Sequence, residues 1–189
     1  MNLRIIAGTL KGRVIRIPEK QVSFRPTLER ARQSIADMLT PLLPGCSGAD
    51  LCAGSGAFGF EMISRGAKTV DFVENDRLRA ESIRATATTF GIQGQCRIIM
   101  QGVAAFAASE SGPYDIIFFD PPYDDAGMAD LVPSLMRRLN PNGILLFQRR
   151  RVRSAGPDRE SRAPEVKIFG DTAVEIHRFR GNATIDPEY

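Results

Sequence analysis

Two hydrophobic periods alternate along this chain. Short, nearly continuous apolar runs end at polar or glycine-rich punctuation, and segments with apolar residues three and four apart follow them. The runs read as buried strands and the segments as helices lying on them. A strand over Gly48–Cys52 leads through Ala53-Gly54-Ser55-Gly56-Ala57 into a helix from about Phe58 to Arg65, closed by Gly66. A strand over Thr69–Glu74 precedes a helix over Arg77–Phe90, and a strand over Gln95–Met100 precedes a short helix near Val103–Ala108. A fourth strand, Tyr114–Phe119, is followed by a helix expected from Met128 to Leu139, a stop at Asn140-Pro141-Asn142-Gly143, and a fifth strand over Ile144–Gln148. Such alternation predicts an α/β fold with a doubly wound, mostly parallel, Rossmann-like sheet. Two alternating segments, Glu165–Phe169 and Ala173–Phe179, flank Gly170-Asp171. They predict an antiparallel C-terminal hairpin at one sheet edge, making seven strands.

Ahead of this pattern, Leu3–Ala7 and Arg13–Ile17 read as a small N-terminal β-hairpin appendage, too small to stand alone. A proline-containing linker over 18–26 leads to a helix through about Met38, with Thr27 expected as its N-cap. The expected organisation is a hairpin arm over 1–24, a main domain over 25–181 that includes the leading helix, and a disordered tail over 182–189. Residues 149–163, rich in arginine with glycine and proline among them, are expected to form a flexible loop.

Composition narrows the chemistry. A chain of 189 residues suits one domain. No apolar run approaches the ~18 residues of a membrane span, and Met1-Asn2-Leu3-Arg4 lacks a signal-peptide core, so a cytoplasmic location is expected. Three cysteines without close pairing argue against a disulfide framework. With His177 the only histidine and no CxxC, zinc sites and histidine-based triads are disfavoured, and no metal is expected. Charge is uneven: residues 1–34 hold eight bases against two acids, +6, within a chain of net charge +3. A basic arm on a mildly acidic body points to an anionic partner.

The candidate chemistry sits at two strand ends. The run Ile116-Ile117-Phe118-Phe119 stops at Asp120-Pro121-Pro122-Tyr123, where two prolines force the chain out of the sheet. That puts a carboxylate, a stiff backbone and an aromatic ring at the carboxyl edge of the sheet, where open α/β sheets bind ligands. Gly54-Ser55-Gly56-Ala57-Phe58-Gly59 matches GxGxxG after a strand and before a helix, and Glu74, with Asn75 beside it, ends the next strand. A carboxylate there can accept both hydroxyls of a ribose. A dinucleotide would satisfy this much. Asp50, three residues before the loop, favours a cationic nucleoside bearing an amino acid, S-adenosylmethionine, over a pyrophosphate. Asp120 and the Pro121 carbonyl can accept both N–H groups of a planar exocyclic amine and aim its lone pair at a methyl sulfonium. Tyr123 can stack on the base. Read alone, the tetrapeptide leaves guanine and adenine equally open.

In its motifs the chain resembles the bacterial 16S rRNA guanine-N2 methyltransferases of the RsmD type. The resemblance rests on Arg4-Ile5-Ile6-Ala7-Gly8 with Lys11-Gly12-Arg13, on Arg25-Pro26-Thr27 with Arg30, on Asp50 with Ala53-Gly54-Ser55-Gly56, on Ser64-Arg65-Gly66-Ala67 and on Asp120-Pro121-Pro122-Tyr123. It implies a small hairpin beside a seven-stranded methyltransferase domain that acts on one guanine of 16S rRNA in an assembling small subunit; a monomer is the default expectation. Arg4, Lys11, Arg13, Arg25, Thr27 and Arg30 would then contact RNA. Relatives often place an acid or amide after the third strand to hold the adenine; here Gln101, or backbone groups of Gly102 and Val103, would serve. After the fifth strand relatives tend to carry Glu, where this chain has Gln148. An adenine-N6 methyltransferase and a non-catalytic RNA-binding assembly factor are the alternatives.

Overall fold

The computed structural model describes residues 2–17, 26–122, 127–151 and 164–179, with backbone only over 26–30. Strands β1 (Asn2–Arg4) and β2 (Val14–Arg16) pair antiparallel as a separate two-stranded sheet. Helix α1 (Pro26–Leu39) follows, and then the alternating core: β3 (Ser47–Leu51), α2 (Ala57–Ser64), β4 (Thr69–Val73), α3 (Arg77–Phe90), β5 (Cys96–Ile99), α4 (Val103–Ala108) and β6 (Tyr114–Phe119). A 3-10 turn over Met128–Leu131 precedes α5 (Val132–Met136), and β7 (Leu139–Arg150), β8 (Glu165–Phe169) and β9 (Thr172–Arg178) complete the chain order.

The seven strands lie in the order β5-β4-β3-β6-β7-β9-β8. The first five are parallel; β9 runs antiparallel to β7, and β8 antiparallel to β9. Strand order reverses between β3 and β6, which pair Leu51 with Phe119. This switch point opens a crevice at the carboxyl ends of the two strands.

Two apolar layers sandwich the sheet. One holds Ile35 and Leu39 of α1, Phe60 and Met62 of α2, Ile83 and Phe90 of α3, and Ile15 of the hairpin. The other holds Val103 and Phe106 of α4 with Val132 and Leu135 of α5. Near the crevice, the Phe58 and Phe118 rings stack at 3.8 Å, fixing the start of α2 against β6. Such a pair adds about 1 kcal/mol beyond area burial.

The hairpin docks through α2 rather than through its own small core. Glu61, 1% exposed, accepts the Ile6 and Ala7 N–H groups at 2.9 and 3.1 Å, and also the Arg65 Nε–H. The Thr9 and Leu10 N–H groups donate to the carbonyl and hydroxyl of Ser64. Gly8, at φ +81°, lies so close that an added Cβ would sit 1.8 Å from the Ser64 carbonyl oxygen. Glu61→Ala would leave the part-buried Ile6 and Ala7 N–H groups unmet and remove one partner of Arg65, and is expected to cost about 3 kcal/mol. Urea denaturation would measure that loss, with faster tryptic cleavage at Lys11 and Arg13; an unchanged midpoint would show that the hairpin docks by other means.

Three sequence expectations are corrected. Helix α1 begins at Pro26, so Thr27 lies inside its first turn rather than at the N-cap; proline tolerates the first helical position because its missing N–H has no partner to lose there. The helix expected over Met128–Leu139 is only Val132–Met136, with Pro133 in its first turn. Leu139 instead pairs with Tyr114 and is 4% exposed, so β7 starts there and takes up Asn140 to Gly143 as a register shift before Ile144 pairs with Ile116. The Asn140 side-chain amide donates to Asp115, and Asn142 adopts φ +67° to absorb the extra residues. Finally, Arg149 and Arg150, expected in the flexible loop, extend β7 because β9 supplies Ala173 and Thr172 as partners; the rest of that loop, 152–163, the linker over 18–25 and the tail lie outside the described residues.

Candidate active site at the switch point

The crevice is built from five strand ends. After β3 the chain turns sharply, with Cys52, Gly54 and Gly56 all at positive φ, and the Gly56 N–H donates to the Ala53 carbonyl at 2.7 Å. A Cβ added at Gly54 would meet only the Cys52 carbonyl oxygen at 3.8 Å, so the loop presents open backbone to a ligand. Ser55 is partly exposed beside it. Gly59 has the opposite reason to be glycine: a Cβ there would stand 2.3 Å from the Phe72 ring.

Glu74 follows β4 and is 3% exposed. Its Oε2 accepts the Gly54 N–H at 2.7 Å and its Oε1 the Asp76 N–H at 3.0 Å. The carboxylate therefore braces the glycine loop. Of its roughly four lone-pair sites, two are used and two remain for a ligand diol. Asn75 is exposed next to it, and Asp76 caps α3 by accepting the Arg79 N–H.

Asp50 lies deeper than a residue reaching directly for a ligand. It is 2% exposed, and its Oδ2 accepts the Gly59 N–H at 2.9 Å, tying β3 to α2 beneath the loop. Burial pushes its carboxyl up to about 8, and the neighbouring charges of Asp120 and Glu74 add to the rise. The Gly59 N–H and the Arg32 guanidinium on α1 pull the other way.

Across the crevice, the Asp120 N–H donates to the Leu51 carbonyl at 3.3 Å, joining the strand end of the catalytic candidate Asp120 to that of the cofactor-binding candidate Asp50. The carboxyl of Asp120 is pushed up to about 7 by burial, and a hydrogen bond from the Gln148 side chain partly offsets this. Pro121 is buried and Pro122 exposed; Tyr123 lies outside the described residues. Beyond β5, Gln101 is partly exposed, Gly102 is the N-cap of α4 with nothing within 4 Å of an added Cβ, and Val103 is buried.

Two contributors are not evident from the sequence. Gln148 reads there only as a departure from the expected Glu, yet Phe147 pairs with Phe119, so Gln148 falls beside Asp120. A signal does exist: like Asp120, Gln148 is a polar residue ending a buried apolar run, here Ile144 to Phe147. Arg32 carries no such signal, because only the packing of α1 brings it near Asp50.

The basic candidates divide into two groups. Arg65, beyond the carboxyl end of α2, pairs with Asp37 and donates to Thr40 at the carboxyl end of α1. The first turn of α1, with Thr27 and Arg30, therefore lies toward the crevice; Arg25 lies outside the described residues. Arg4 donates to the Gly12 carbonyl within the hairpin, and Arg13 donates to the Thr89 carbonyl and sits 5.5 Å over the Phe90 ring. With exposed Lys11, these belong to the far end of α2 and α3, opposite the crevice. Among the described residues no group of His, Cys, Asp and Glu could hold a metal ion, and no helix is long and apolar enough to cross a membrane. His177 is paired with Glu175 at 3.1 Å.

A mostly parallel sheet in this order, with an antiparallel edge pair and a glycine loop at the switch point, is the methyltransferase-type α/β fold. A solved Escherichia coli structure titled "Putative methyltransferase yhhF" superposes with a TM-score of 0.82 at 26% identity, over 96% of this chain and 99% of that one. The chain belongs to the family described as Conserved hypothetical protein 95, whose model matches residues 3–178. "Ribosomal RNA small subunit methyltransferase D" of Escherichia coli K12 is 32% identical over 122 residues, 65% of this chain and 61% of that protein, so the match spans less than two thirds of the relative's length. The Haemophilus influenzae protein of the same name is 30% identical over 153 residues, 78% of each chain.

Proposed function

We propose that this protein is an S-adenosylmethionine-dependent methyltransferase acting on the exocyclic N2 amine of a guanine in 16S rRNA of an assembling small subunit. The observation that carries the reading is the joining of Asp120 to Leu51, which sets an amine acceptor beside the glycine loop at one crevice. The residues fit the cofactor: an open glycine turn, a braced Glu74 with two acceptor sites left for a diol, and an acidic pocket suited to a cation. When bound, the cofactor supplies an electrophilic methyl group. Glu74 would hold the ribose, the backbone at Gly102 and Val103 or Gln101 the adenine, and Asp50, giving up its proton as the cation binds, would contribute negative charge beneath the amino acid end.

Asp120 and the Pro121 carbonyl would each accept one N–H of the guanine amine, turning its lone pair toward the methyl group. Proline has no N–H to compete for the same space. Methylation would leave the amine positively charged as the methyl–sulfur bond breaks with its electron pair kept by sulfur, and the Asp120 carboxylate would stabilise that charge and take the proton the amine releases. A carboxyl pushed up to about 7 is matched to that task near neutral pH. The family relatives' names and the basic first 34 residues support RNA as the substrate.

Calorimetry with S-adenosylmethionine and with NAD tests the cofactor, and tight NAD binding would sink the reading. Mass spectrometry of rRNA from a deletion strain tests the substrate: one guanine should lose its N2 methyl group, and a fully methylated 16S rRNA would overturn it.

Two further outcomes follow from the electrostatics. Asp50 and Asp120 are both raised, to about 8 and about 7, so both hold protons at pH 6. A bound cation favours the carboxylates, so binding releases protons and S-adenosylmethionine affinity should climb from pH 6 and level off above about 8, by at most about tenfold per pH unit per proton released. Calorimetry in buffers of differing ionisation enthalpy reads this directly; a falling affinity would contradict it. Gln148→Leu removes the hydrogen bond that holds the Asp120 carboxyl down, so the acid limb of kcat/KM should move to higher pH. An unmoved limb would deny Gln148 that positioning role.

A further inference from the structure

Between β2 and α3 runs a groove of about 480 Å³ whose walls include Arg13, Arg16, Ser82, Ala85, Thr86 and Thr89. We propose that this groove carries the phosphodiester backbone of the substrate RNA, away from the target base. The inference rests on the function proposed above and extends the footprint of that same site.

The groove's lining sets basic and hydroxyl groups beside the apolar Val14, Ala85 and Phe90, and holds no acid. Arg13 is held in place by Thr89 and Phe90, and uses one of a guanidinium's five donors on the Thr89 carbonyl. Arg16 is exposed at the other end of the hairpin strand. On α3, residues 79, 82, 86 and 89 are spaced three and four apart and so share one stripe. Arg79 therefore continues the groove toward the amino end of α3, and it is exposed. The only acid within α3, Glu81, is paired with Arg77.

Direction makes this a track. Helices that follow parallel strands run back against them, so the amino end of α3 lies at the crevice beside Glu74 and Asp76. From Arg79 to Thr89 the stripe covers about 15 Å at 1.5 Å per residue. A chain of phosphates leaving the crevice would meet Arg79, then Arg16 and Ser82, then Arg13, with Lys11 exposed beyond. Guanidinium donors in a row, with the Ser82 hydroxyl among them, suit phosphate oxygens and 2′-hydroxyls, contacts that position RNA without reading its sequence; the Thr89 hydroxyl is taken up by the Ala85 carbonyl. This also gives the hairpin's bases a purpose at the end of the molecule opposite the catalytic edge.

The test places a photo-crosslinking benzoylphenylalanine at Ala85, exposed in the groove, and at Arg137, exposed at the carboxyl end of α5 in the opposite helical layer. Both are irradiated with small-subunit assembly particles. Residue 85 should crosslink to RNA and residue 137 should not. Crosslinks from 85 only to protein, or equal RNA crosslinks from both, would overturn the groove. In a second arm, Arg16→Glu with Ala85→Glu should raise KM for the particle at least tenfold and lower the magnitude of the salt slope by about one for each phosphate no longer neutralised. S-adenosylmethionine affinity and melting temperature report that the variant is folded. Unchanged KM and slope would reject the proposal. Methyl incorporation by the wild type is scored separately: an inert wild type that still crosslinks from residue 85 keeps the groove and rejects the activity, whereas active enzyme without the crosslink does the reverse.

Discussion

Asp120→Ala is expected to lower methyl-transfer turnover about 10³-fold while changing RNA affinity by less than about twofold. Two losses combine in that figure. The alanine variant no longer accepts an amine N–H, so the lone pair is not held toward the methyl group, and it no longer offers a carboxylate to the developing positive charge. RNA affinity should survive because phosphate contacts elsewhere dominate it. Asp120→Asn separates the two effects. The amide oxygen still accepts a hydrogen bond but cannot take the proton, so an intermediate loss of about 10² is expected. Single-turnover methylation at saturating cofactor, with RNA binding measured in parallel, reads both quantities. Turnover within tenfold of wild type in the alanine variant would remove Asp120 from the chemistry.

Glu74→Ala should weaken S-adenosylmethionine binding by about 10²- to 10⁴-fold. Two charge-assisted hydrogen bonds to a ribose diol are each worth roughly 1.5–3 kcal/mol, and a factor of ten is about 1.4 kcal/mol. The same carboxylate also accepts the Gly54 and Asp76 N–H groups, so its loss loosens the loop that faces the ligand. Glu74→Gln keeps the shape and one acceptor oxygen while placing an amide donor against a backbone donor. Its affinity should fall between wild type and alanine. Isothermal calorimetry decides the matter, and an alanine variant with unchanged affinity would show that the diol is held elsewhere.

The limits of reading this chain one residue at a time are visible at particular places. Strand and helix positions from Ser47 to Phe119 follow from local pattern, because each apolar run is short and punctuated, and those of β3, β4 and β6 are largely buried on both faces. Helix α3 spans Arg77–Phe90 as expected, and the structure closes it with an Asp76 cap and a left-handed Gly91. Local pattern fails at Asn140-Pro141-Asn142-Gly143, whose composition reads as a turn; pairing of Leu139 with Tyr114 across the sheet outweighs that preference. Nor can it register Gln148 against Asp120, since the two are neighbours only once β7 lies beside β6.

By itself the sequence determined the parallel α/β order, the glycine turn after the first core strand, the acid ending the second, and the Asp-Pro-Pro exit from the fourth. Each is a local consequence of period, backbone freedom or a missing N–H. The tertiary structure alone decided that Asp50 lies under the loop rather than in its mouth, that Gln148 and Arg32 act on the two raised carboxyls, and that the hairpin's bases stand at the far end of α3. Those are distances between segments remote in sequence, and they exist only when the strands have paired and the helices have packed.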